Sequence, residues 1–200
     1  MLEIAVLGLL NESPMHGYEI RKRLSTTLGT FRAFSYGSLY PTLRRLSEAG
    51  WISEESPEGE DGSRSRRGKR VYQLTAEGKE HLAALLADVG PEAFDDEEFG
   101  ARLAFFSQTR SEVRMQILEG RRRRVEEKRD GMKRARTGER FDRYTRELHE
   151  HGLEAVDREV RWLTELIDSE RAQHPQHPQH PQHPSPTTEE HETPNRRRKP

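Results

Sequence analysis

Five cations, Arg64, Arg66, Arg67, Lys69 and Arg70, crowd into one short stretch. Cations at that density attract phosphate. Just ahead of them stand Glu54, Glu55, Glu58, Glu60 and Asp61, which would oppose a polyanion and are expected on the far side. Four histidines, His174, His177, His180 and His183, recur every third residue among Pro and Gln. Such imidazoles chelate nickel, copper or zinc weakly, and the same pattern makes a low-complexity linker, the reading preferred here. His149 and His151 are two apart, so a helix would not point them at one ion. Cysteine is absent, which removes disulfides, thiol catalysis and cysteine-bound zinc and fits a cytoplasmic location. There is no glycine-rich phosphate loop, nucleophile elbow or triad. The chain is not expected to be an enzyme, and neither a cofactor nor a resident metal is expected.

The composition limits how these groups can be held. Of 200 residues, 31% are hydrophobic and 34% charged, with 34 basic against 35 acidic side chains. That balance excludes one large core and points to solvated helices. The net charge of −1 announces no nucleic acid by itself, so the distribution of charge must carry that signal. No apolar run is long enough to span a membrane. The start, Met1-Leu-Glu-Ile-Ala, does not read as a signal peptide. Three pieces are expected: a compact domain over 1–88, a helical domain over 89–172 and a tail over 173–200. The QHP repeat and polar end of the tail, which closes on Arg196-Arg197-Arg198-Lys199, offer no apolar anchors to offset ordering entropy.

In the first piece, Leu2, Ala5, Val6, Leu9 and Leu10 follow a helical period. After the turn Asn11–Gly17, a second helix starts near His16 or Gly17, with Ile20, Leu24 and Leu28 inward and Arg21, Lys22 and Arg23 outward. A third, within Ser35–Ala49, turns Leu39, Leu43 and Leu46 inward, and Gly50 stops it. Pro41 predicts that it starts as late as Gly37 or Ser38, or bends. Trp51–Glu55 and Arg70–Thr75 then read as strands of a hairpin with a long Gly/Ser tip, and Thr75 caps a fourth helix. Three helices and a hairpin make a winged helix-turn-helix. The first two helices brace the third so that its outer face enters a major groove about 12 Å wide. The basic wing meets the neighbouring backbone.

Three separated motifs carry a resemblance. They are Pro14-Met-His-Gly-Tyr-Glu-Ile, Ser35-Tyr-Gly-Ser-Leu-Tyr-Pro-Thr-Leu-Arg-Arg-Leu-Ser-Glu-Ala-Gly-Trp-Ile, and Arg67-Gly-Lys-Arg-Val-Tyr-Gln-Leu-Thr-Ala-Glu-Gly. In order and spacing across residues 2–86 they resemble the PadR family of bacterial transcriptional regulators. The resemblance implies a mainly α fold: a winged-helix DNA-binding domain plus a C-terminal antiparallel helical dimerisation domain, as in the longer members. It implies a dimeric regulator, most often a repressor, on an inverted-repeat operator in double-stranded DNA, in the cytoplasm and nucleoid-associated when bound. It makes Ser35, Tyr36, Ser38, Tyr40 and Arg44 the candidate recognition-helix residues. Tyr18 and Lys22 on the second helix and Arg64, Arg66, Arg67 and Lys69 on the wing are the other candidate DNA contacts. His16 is similar to the family's turn histidine and reads as a turn or cap residue.

In the second piece, Phe99, Leu103 and Phe106 mark a short helix, and long helices run over Ser111–Ala135 and Glu139–Ala172. Their apolar stripes are thin, with Leu118, Val125 and Met132 at heptad spacing. Such stripes need a covering surface, and a second chain is expected to supply it. The expected homodimer interface is Leu148, Val156, Val160, Leu163 and Ile167. Arg121 to Arg124 read as a solvated helix face paired with nearby carboxylates. Phe99, Phe106 and Trp162 are the candidate pocket for an aromatic effector. The rival reading, a winged helix used only as a protein-interaction platform, leaves the cations of the third helix and wing without a purpose.

Overall fold

The computed structural model describes residues 1–29, 36–55, 70–136 and 141–173. In chain order its elements are α1 (Leu2–Glu12), β1 (Met15–His16), α2 (Gly17–Leu28), α3 (Tyr36–Glu48), β2 (Ile52–Glu55), β3 (Val71–Leu74), α4 (Ala76–Ala87), α5 (Phe99–Ala104), α6 (Ser111–Arg136) and α7 (Arg143–Gln173), with 3₁₀ turns at Pro91–Phe94 and Phe106–Gln108. The fold is mainly α with one small antiparallel sheet, as the residue pattern predicts. Ser35, the hairpin tip with Arg64, Arg66, Arg67 and Lys69, and the histidine repeat lie outside the described residues.

The first core gathers Leu24, Leu28, Leu39, Leu43 and Leu46 around α1. Every residue of α1 from Ile4 to Leu10 is buried, so Ile4, Leu7 and Gly8 join the expected stripe. A helix apolar on all sides is enclosed on all sides, and α1 meets α2, α3, α4, α5 and β3. Met15 and His16, expected in a turn, instead form β1, an edge strand with Met15 opposite Tyr72 and His16 opposite Val71. Two residues are too few to show a strand period. β3 is therefore central, in the order β1-β3-β2. α3 begins at Tyr36 and runs through Pro41, earlier than predicted. The proline removes only the bond to the Gly37 carbonyl, near the helix start, where partners are fewest. Gly50 ends the turn after α3 at φ +76°, a backbone that side chains resist.

The second core lies between α6 and α7, which run antiparallel. Arg114 bonds Glu170 at one end, and Arg129 approaches Asp157 towards the other. Val113, Ile117, Leu118 and Val125 bury against Val156, Leu163 and Ile167 of the same chain, with Val160 partly buried beside them. The stripes that seemed to wait for a partner chain thus largely cover one another. Of the residues nominated for the dimer, Leu148 alone is well exposed, at 70%, with Tyr144 one turn away at 80%. Arg121 departs from the solvated-face expectation. It is 6% exposed and is held by Glu159 at 2.6 Å, Asp96 at 2.5 Å and the Phe94 carbonyl at 2.9 Å. Its partners come from α7 and the loop before α5, elements that spacing along α6 cannot reveal.

α5 belongs to both cores: Ala101, with Phe105 just after the helix, packs into the first and Phe99 into the second. The division drawn at residue 88 therefore falls ahead of a helix that both sides share. No helix among the described residues is long and apolar enough to cross a membrane.

Candidate nucleic-acid interface

The N-terminus of α2, the outer flank of α3 and the β1–β3 edge enclose a groove of about 800 Å³. His16, Tyr18, Lys22, Thr26, Tyr40, Arg70 and Tyr72 line it. α2 turns Ile20, Leu24 and Leu28 inward, which sends Tyr18 and Lys22 outward. α3 does the same with Leu39, Leu43 and Leu46, leaving Ser38, Tyr40 and Arg44 exposed. Tyr18 is 66% and Tyr40 46% exposed, so neither is committed to packing between helices. Tyr36 is the first residue of α3. The structure thus brings Tyr18, Lys22 and Tyr40 to one groove and sets Ser38 and Arg44 on the same helix as Tyr40.

Tyr72 and His16 were not nominated from the sequence as groove residues, and Arg70 was read only as part of the cationic run on the wing. Tyr72 is buried at the back, and its phenol is pushed above its ordinary pKa by burial and by the Glu54 charge, so it stays a neutral hydroxyl. Arg70 reaches Glu54 at 2.7 Å across the base of the hairpin. Glu54 was expected to lie away from the cations, yet it neutralises one of them. His16 occupies the N-cap position of α2, as expected of a cap residue, but makes no side-chain cap bond; its Nδ1 lies 3.3 Å from the Arg70 carbonyl. The alternation through Val71-Tyr72-Gln73 was the available signal for Tyr72; for His16 only the β1 pairing reveals it.

Both arginines of α3 are paired. Arg44 bonds Glu48 one turn on at 2.8 Å, which raises its pKa further, and both are exposed. Arg45 bonds Glu3 of α1 at 2.6 Å. Burial works to raise the Glu3 carboxyl, but hydrogen bonds from His81 and Arg45 outweigh it and hold the group below its ordinary value. A hydrogen bond from Arg121 likewise holds Asp96 down, against its burial. Groups with depressed folded values stabilise the fold above their unfolded pKa, and that stability is lost as pH falls through the folded value. The melting temperature is therefore expected to hold above about pH 5 and to drop below about pH 4. Glu3→Gln should blunt that drop in a thermal-melt series; an unchanged acid limb would mean that Glu3 contributes nothing to it.

The aromatic trio lies elsewhere. Phe99 and Trp162 meet edge to face at 6.2 Å, the Arg121 guanidinium sits 5.2 Å over the Phe99 ring, and Phe106 packs on the same core. Among the described residues no cluster of three or more His, Cys, Asp or Glu has metal-binding geometry.

A three-helix unit closed by a β2–β3 wing, with its third helix exposed, defines the winged-helix class of DNA-reading domains. Residues 6–84 match the transcriptional regulator PadR-like family, so it is this domain that is similar to those regulators. The negative transcriptional regulator PadR of Bacillus subtilis (strain 168) is 31% identical over 83 residues, spanning 41% of this chain but only 43% of that relative's length. The structure of Bacillus subtilis PadR in complex with operator DNA is 23% identical, with 84% of this chain and 98% of that one covered and a TM-score of 0.41. The structure of the same protein with p-coumaric acid gives 22%, 84%, 98% and 0.40. The family is one of regulators, not enzymes.

Proposed function

We propose that the chain is a dimeric, sequence-specific DNA-binding regulator, acting as a repressor on an inverted-repeat operator in the cytoplasm. Residues 1–88 read DNA, 89–172 dimerise, and 173–200 form a tail. The observation that carries this reading is the groove: two exposed tyrosines and a lysine stand between α2 and the start of α3, beside the point where the wing leaves the sheet. Phosphate contacts set register, while the N-terminal residues of α3 meet base edges. Ser35, Tyr36, Ser38, Tyr40 and Arg44 take the base side; Tyr18, Lys22, Arg64, Arg66, Arg67 and Lys69 take the backbone. Two such units need a two-fold axis, and among the described residues of the helical hairpin Leu148 with Tyr144 on α7 is the exposed apolar surface offered to a second copy.

An aromatic effector at Phe99, Phe106 and Trp162 completes the reading. Because Phe99 and Trp162 already touch, a ligand must part them. It must also bind the DNA-incompetent geometry more tightly, or it shifts nothing.

Fluorescence anisotropy with duplexes selected from a random library separates the roles. Replacing Ser38 with alanine should weaken selected duplexes by roughly 1–3 kcal/mol. Replacing Lys22, Arg66 or Lys69 should weaken all duplexes alike and reduce the salt slope by about one per lost phosphate contact. Wild-type slopes in all three variants would remove them from the interface. Sedimentation should give twice the chain mass for the full chain and for one ending at residue 172. Leu148→Glu should give a monomer.

A further inference from the structure

We propose that Glu3 is a positioning residue for the recognition helix: by holding Arg45 of α3 and His81 of α4 together, it sets the roll at which α3 meets DNA. This rests on the DNA-reading function proposed above. The Glu3 carboxylate accepts from Arg45 Nη2 at 2.6 Å and meets His81 Nε2 at 2.7 Å. Those partners are 42 and 78 residues away in the chain. The Glu3 and His81 side chains are only 20% and 25% exposed. The His81 ring stacks on Trp51, with centroids 3.5 Å apart and planes 14° apart. Trp51 is itself tied to α3, because its N–H donates to the Leu46 carbonyl at 3.0 Å. α1, α3 and α4 thus meet around one carboxylate.

Roll of α3 is what a directional tether at its outer flank can set most sharply. Its inward contact is Leu39, Leu43 and Leu46, and apolar burial is non-directional. A charge-assisted hydrogen bond is directional. Arg45 stands seven residues after Ser38, on the same face two turns along, so its tether acts on the stripe that carries Ser38. At a helix radius of about 5–6 Å, a roll of about 20° carries an outer side chain about 2 Å. A binding constellation tolerates about 0.5 Å. Arg45 is consequently assigned to the scaffold and not to a phosphate.

A competing role for the same pair predicts the opposite sign. Were Glu3 merely holding Arg45 away from DNA, its removal would release a cation and tighten binding to any duplex. The test uses the full chain, a duplex selected by the wild type from a random library, and a random-sequence duplex of equal length. Glu3→Ala is expected to weaken the selected duplex about fivefold to tenfold. It should leave the random duplex within about twofold and the salt slope unchanged. Arg45→Ala should reproduce both results, and Glu3→Gln, which keeps an acceptor, should recover most of the loss. In a Trp162→Phe background, Trp51 emission should change in Glu3→Ala as His81 is released. Tighter binding to both duplexes with a steeper slope overturns the proposal. So does unchanged affinity for the selected duplex, whatever happens to the melting temperature. A wild-type chain that enriches no sequence overturns the DNA reading, and this proposal with it.

Discussion

Replacing Arg102 with alanine is expected to lower the unfolding free energy by about 3–5 kcal/mol. The side chain is 3% exposed. Its Nη1 donates to the Leu85 carbonyl at 2.9 Å and the Asp88 carbonyl at 2.8 Å, at the C-terminal end of α4. A helix leaves its last carbonyls without internal partners, so this arginine supplies what α4 cannot. Nε and Nη2 meet Glu98 at 3.3 Å, and Glu98 also accepts from the terminal ammonium of Met1 at 3.1 Å. Alanine would leave a cavity, unsatisfied carbonyls and a carboxylate with one partner fewer. Arg102→Met restores volume but no donor, so it should recover only the packing part. Urea unfolding of both variants by circular dichroism checks this; a loss under about 1 kcal/mol for alanine would mean that water replaces the guanidinium freely. Because α5 packs into both cores, the same variant should loosen the link between the DNA-reading unit and the hairpin.

The second large effect is one whose sign helix propensity predicts wrongly. Gly78 is in the first turn of α4, where alanine would ordinarily gain about 1 kcal/mol. Here a Cβ would lie 1.9 Å from the Trp51 carbonyl oxygen and 2.9 Å from Leu74 Cδ1. The first obstacle is backbone, so relief requires a shift of α4 or of the turn after α3. That turn is tightly held: the Thr75 hydroxyl accepts from Gly78 N at 3.0 Å and lies 2.7 Å and 3.0 Å from the carbonyls of Gly50 and Trp51. A hydroxyl has one proton, so those two carbonyls share it. Overpacking on a held backbone should win, and Gly78→Ala is expected to destabilise by about 3 kcal/mol. The turn joins α3 to β2, so DNA affinity should fall as well. A gain in melting temperature would show that the turn yields at little cost.

The helices of the first unit could be read from residue order because their information is local. Ile20, Leu24 and Leu28, and then Leu39, Leu43 and Leu46, repeat at the helical period, and Gly50 and Thr75 mark a stop and a start through their own backbone and hydroxyl chemistry. The outward placement of Tyr18, Lys22, Ser38, Tyr40 and Arg44 follows from those stripes by geometry alone. What escaped depends on which surfaces meet. A thin stripe such as Val156, Leu163 and Ile167 demands a cover without specifying its source, and the folded chain supplies α6 where a second subunit was expected. Arg102 and Arg121 look like surface cations in sequence. They are buried because carbonyls and carboxylates from other elements converge on them, and a long charged side chain enters a core only under that condition. β1 exists only because β3 offers it an edge, and with it came His16, Arg70 and Tyr72 at the groove. Glu3, an ordinary first-turn acid by position, joins α3 to α4 only once residues 45 and 81 have been folded against it.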